Sequence, residues 1–146
     1  MLNRQDGTPF STGRSTFLDR IESSAEPTAK IWVRIQPDSL GGEILAQLDT
    51  GAAWSILDPE VAEALSLLNG EGEPVSLKTR YGPIDGRLER TRIDIIAEQG
   101  DSLSIDATVF ISPQWPGGSF LGFGGLLERI RFAIDPRDNS FHFGSM

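Results

Sequence analysis

The chain has 146 residues, a formal net charge of −8, no cysteine and a mean hydropathy of −0.19. That length suits one domain with its own core, while the acidity speaks against nucleic-acid binding. The missing cysteines exclude disulfides, thiolate catalysis and zinc–thiolate sites. No apolar run reaches membrane-spanning length, and Met1–Gly7 lacks the apolar core of a secretory signal, so a cytoplasmic location is the default expectation.

Residues 1–27 are polar and rich in turn formers, and read as a flexible arm with one short ordered stretch near Phe17 and Leu18; the domain proper is expected over residues 28–146. Ile31, Val33 and Ile35 alternate with Lys30, Arg34 and Gln36, and Ile44, Ala46 and Leu48 with Glu43, Leu45 and Gln47; Pro37–Gly42 between the two runs predicts a hairpin. Asp58-Pro59-Glu60 starts a helix whose apolar face is Val61, Ala64, Leu65 and Leu68, ending at Asn69–Gly72. A strand through Val75, Leu77 and Thr79 runs into a turn at Tyr81-Gly82-Pro83-Ile84-Asp85-Gly86 and returns from Leu88 to Ile96. Leu88 and Ile93 have opposite parity, so the return strand must bend, bulge or exchange faces. Leu103–Ile111 alternates again, Ser112–Gly118 is a loop, and a short helix is expected at Leu126–Ile130. Phe132 and Ile134 face Phe141 and Phe143 across a closing turn. Many short strands with two short helices predict an all-β barrel or sandwich.

One segment carries chemistry. In Ala46-Gln47-Leu48-Asp49-Thr50-Gly51-Ala52 an apolar strand delivers a carboxylate into a tight loop. Gly51 permits backbone angles closed to other residues, and Thr50 can hydrogen-bond locally or across an interface. Asp-Thr-Gly alone is also an ordinary turn composition. Among the other acids, Asp58 reads as a helix cap, Asp85 and Asp135 as turn residues, and Asp94, Asp101 and Asp106 as solvated; none repeats the setting of Asp49. His142, the single histidine, reads as a strand surface residue, Ser55 as a local hydrogen-bonding group, and Trp32, Trp54 and Trp115 as packing residues.

The order Gln47–Leu57, Tyr81–Gly86, Phe120-Leu121-Gly122 and a helix at Leu126–Ile130 resembles the retropepsin-like aspartic peptidases, single-lobe relatives of the retroviral proteases, over about Ile31 to Phe143. The resemblance implies a closed barrel-like all-β lobe with a flap hairpin and one or two short helices. It implies Asp49 as catalytic carboxylate, supported by Thr50, Gly51 and Ala52. It also implies a flap of Tyr81, Gly82, Pro83, Ile84 and Gly86, with hinge freedom from Gly82 and Gly86, over a substrate floor at Leu121 and Gly122. Apolar side-chain preferences are expected from Ile84, Leu121 and Phe123. With one such Asp per chain, the implied unit is a homodimer acting on an extended peptide or protein, with no metal and no cofactor. Phe123-Gly124-Gly125 departs from the Arg and Asn or Asp of the retroviral members, which bears on the dimer contacts. A weakly catalytic peptide-binding or dimerisation module is the alternative on the same fold.

Overall fold

In chain order the strands are β1 (Gly13–Thr16), β2 (Trp32–Pro37), β3 (Ile44–Leu48), β4 (Ser55–Ile56), β5 (Glu73–Thr79), β6 (Gly82–Ile95), β7 (Gln99–Gly100), β8 (Leu103–Ile111), β9 (Phe120–Leu121), β10 (Ile130–Asp135) and β11 (Ser140–Ser145). Helix α1 (Pro59–Ala64) follows β4, and a single 3-10 turn (Leu127–Arg129) precedes β10. The structure is a computed structural model that describes residues 1–21, 26 and 28–146. Among the described residues no helix is long and apolar enough to cross a membrane.

The alternation seen in the sequence becomes the inside of a barrel. In β2 the side chains of Val33 and Ile35 are wholly buried while Arg34 and Gln36 are not. The strands join in the order β2-β3-β9-β4-β8-β6, and β6 pairs back onto β2 through Ile35↔Ile95 and Pro37↔Ile93, closing a six-stranded ring. Val33, Ile35, Ile93, Ile95, Ile105, Ala107, Val109 and Leu121 fill it. Closure leaves the ring without a free edge.

Strand β6 settles the parity conflict by exchanging faces. It has 14 residues, and its register with β8 runs unbroken from Arg87↔Ile111 to Ile95↔Leu103, so no bulge intervenes. Its Ile93 and Ile95 face the barrel core. Its Ile84 and Leu88, on the other face, meet Ile56, Phe110 and Trp115 in a second, smaller cluster. The first half of β6 pairs with β5 in a hairpin.

Two expectations need correction. The turn is Arg80-Tyr81, with Thr79↔Gly82 already paired, so Pro83, Ile84 and Gly86 belong to the strand. Helix α1 stops at Ala64 because Ser66 is left-handed (φ 59°), and its buried residues are Val61 and Ala62. Its start is as read, since Asp58 accepts from the Val61 N–H at 3.1 Å.

The arm reading of residues 1–27 is also corrected in part. Gly13–Thr16 is an inner strand of a second sheet ordered β10-β11-β1-β7, and Phe17 is buried. Gly13 has no room for a side chain: a Cβ there would lie 2.3 Å from the Asp101 carbonyl oxygen and 2.4 Å from the Phe143 ring. Residues 22–25 and 27 of that reading lie outside the described residues.

Candidate active site

Asp49 is placed by parallel pairing. Strand β3 runs alongside β9 with Gln47↔Phe120 and Leu48↔Leu121 in register. The Gln47 N–H donates to the Ser119 carbonyl and the Asp49 N–H to the Leu121 carbonyl, both at 2.9 Å. The chain then turns, with Ala52 N–H donating to the Asp49 carbonyl at 3.1 Å. One carboxylate oxygen, Oδ1, accepts from the Gly51 N–H at 2.9 Å, which fixes the side-chain direction. Asp49 is half-buried, and Thr50 and Gly51 are exposed at the loop apex.

The segment after β9 holds this loop from behind. Phe123 N–H donates to the Ala52 carbonyl and Gly124 N–H to the Ala53 carbonyl, both at 2.9 Å. Gly122 N–H donates to Ser55 Oγ, also at 2.9 Å, in a buried bond. Such contact needs bare backbone: a Cβ on Gly122 would stand 2.2 Å from the Trp54 carbonyl oxygen, and one on Gly124 2.4 Å from that of Ala53. The apolar-apolar-Gly pattern is thus the imprint of two backbones in contact. Ser55, expected to hydrogen-bond locally, bonds a distant segment instead. Its hydroxyl bonds a position 67 residues away, and nothing in the local sequence signals that partner.

A cleft of about 760 Å³ opens in front of Asp49. Asp49, Gly51 and Ala52 lie on its wall, and Lys78, Thr79, Arg80 and Tyr81 of the β5–β6 tip line it as well. Between them stand Trp54, Trp115 and Phe120. Edge-to-face contacts link Tyr81 to Trp115 (6.2 Å between centroids) and Trp115 to Phe120 (5.9 Å). The hairpin tip is therefore coupled through aromatic rings to the strand beside Asp49.

Several expected site residues lie elsewhere. Ile84 is buried in the smaller cluster, and the Leu121 side chain is buried in the barrel core, so neither lines the cleft. Gly122 likewise serves backbone contact, and Phe120 supplies the apolar wall in place of Leu121. Gly86 is packed, not hinge-like: its position faces the Ile111 carbonyl and the Phe110 ring at 2.4 and 2.6 Å from a notional Cβ. Gly82 does carry the positive φ (93°) that lets the chain leave the turn. Pro83 is exposed on β6, and Phe123 is exposed beside the loop, outside the cleft lining.

The fold is that of a retropepsin-like lobe: an all-β closed barrel with a projecting hairpin and short helices. Among solved structures the chain is similar to a retropepsin-like aspartic protease from Rickettsia conorii, with 17% identity, a TM-score of 0.56 and coverage of 92% of this chain and 94% of that one. That likeness is one of fold. No family model and no curated protein matches the chain.

Proposed function

We propose that the protein is an aspartic endopeptidase in which Asp49 from each of two identical chains forms one catalytic dyad. The observation that carries this reading is the Asp49 loop itself. It is a half-buried carboxylate, oriented by the Gly51 N–H and braced on the β9 loop, at the mouth of a cleft bounded by a hairpin tip. One lobe supplies one such loop, so a two-fold axis beside the exposed Thr50 and Gly51 completes the site. Thr50 interlocks with its mate there, and Gly51 and Ala52 border the substrate.

In the dyad the two carboxylates share a proton, because adjacent anions repel. The ionised one takes a proton from water as it attacks the scissile carbonyl, and the protonated one donates to the carbonyl oxygen. The tetrahedral species then collapses as a proton passes to the leaving amine. The substrate lies extended, and the β5–β6 tip, led by Tyr81, closes over it as a flap and excludes water.

The test is incubation with denatured protein and a peptide library from about pH 4 to about pH 8. Cleavage that Asp49→Asn lowers by about a thousandfold or more supports the proposal. Absence of cleavage, or cleavage equal in the variant, refutes it. The exposed Phe123 beside the Asp49 loop favours one second reading, a peptide-binding or dimerising module with little turnover. In that case Asp49→Ala leaves the biological role intact.

A further inference from the structure

The charges around the cleft run against those of the chain. The protein is strongly acidic and has only two lysines, Lys30 and Lys78. Both line the cleft, together with Arg80, and among the described residues Asp49 is the only acid in its lining. Neither lysine makes an ion pair or side-chain hydrogen bond among the described residues, and both are exposed. Arg80 sits on the Tyr81 ring at 5.1 Å and donates from Nη2 to the Tyr81 hydroxyl at 2.9 Å, which holds its charge at the hairpin tip. The cations border apolar walls at Trp54, Trp115 and Phe120. Low-dielectric walls concentrate the field of the charges beside them.

From this we infer that the cleft selects extended peptides in which an aromatic or large aliphatic residue is bracketed by Asp or Glu. The inference deepens the peptidase reading and rests on it. The apolar residue packs on the aromatic wall. Acidic side chains at neighbouring positions of the extended chain, with alternate residues roughly 7 Å apart, pair with Lys30, which precedes β2, and with Lys78 or Arg80, on the β5–β6 tip. The same two-fold axis that pairs the Asp49 loops repeats the cations on the second half of the cleft.

The test uses the full chain carrying Asp49→Asn, and three fluorescent peptides that share a Phe-centred sequence and differ only in Glu, Gln or Lys at the flanking positions. Anisotropy at low salt reads their affinities. The Glu peptide is expected to bind roughly tenfold tighter than the Lys peptide, with Gln between, and the gap narrows as salt rises. Adding Lys30→Gln and Lys78→Gln to the same background is expected to shrink the ratio severalfold. Equal affinities for the Glu and Lys peptides, binding of none of the three, or a ratio unmoved by the lysine replacements would each overturn the inference. Cleavage assays of the wild-type chain separate the two claims. A retained Glu preference without cleavage sinks the peptidase reading alone; cleavage of all three peptides at equal rates sinks the acidic preference alone.

Discussion

Ser55 and His142 show how much rests on single buried polar groups. Ser55 Oγ is the acceptor for Gly122 N–H behind the Asp49 loop, in a position 1% exposed. Ser55→Ala leaves that N–H without a partner and is expected to lower unfolding free energy by about 1–3 kcal/mol, read by urea titration. An unchanged midpoint would mean that the bond does not brace the loop. His142 pairs across from Ala133 and Arg14 between two strands, and its Nδ1 is buried without a hydrogen-bond partner. Burial, then the positive N-terminus and Arg14, hold its pKa below the usual 6.5, against smaller opposing pulls from Asp138 and Asp135. The folded chain therefore binds this proton less readily than the unfolded chain. Stability is full above about pH 6.5 and falls as pH drops below it. The melting temperature is expected to fall from about pH 7 to about pH 5, and to fall less in His142→Gln. Equal slopes would remove His142 from the account. The depressed carboxylates Asp6, Asp19, Glu98 and Asp138 act in the same direction, but in the more acidic range.

At the scale of elements, β1 separates what the residues announce from what packing decides. Its buried positions are Gly13 and Ser15, so it lacks the apolar alternation by which β2, β3 and β8 are recognised. It nevertheless joins β11, near the C-terminal end, and β7, at Gln99–Gly100, both far from it in sequence. Deleting residues 1–16 is expected to lower the melting temperature by several degrees or more and to give no gain in activity. A rise in activity would instead make the segment an inhibitory arm. The hairpins β2–β3, β5–β6 and β10–β11 were legible because pairing and turn are both local. Closure of the ring was expected only through the resemblance, not from local patterning. It depends on two-residue strands, β4 and β9, and on β6 returning to β2, contacts that local patterning does not encode. The position of Asp49 at a strand end was readable from Leu48-Asp49-Thr50-Gly51. The cleft walls were not, because face exchange in β6 hides Ile84 while Trp54, Trp115 and Phe120 converge from three separate segments.

At the scale of the whole molecule, the barrel presents one carboxylate loop to the outside and keeps both termini-proximal strands, β1 and β11, within its own second sheet. Those strands are paired inside one chain, and the surface the proposed dimer would use is the exposed apex at Thr50 and Gly51 with the neighbouring Phe123. In the proposed dimer Asp49 is half of a site, and activity would belong to the pair. The most direct measurement mixes wild-type chains with Asp49→Asn chains, lets the subunits exchange, and reads peptide cleavage at constant total protein. If a site needs two Asp49 carboxylates, an equal mixture retains about a quarter of the wild-type activity, since only dimers of two wild-type chains work. Retention of about half would mean that each chain carries a complete site, and would contradict the shared dyad.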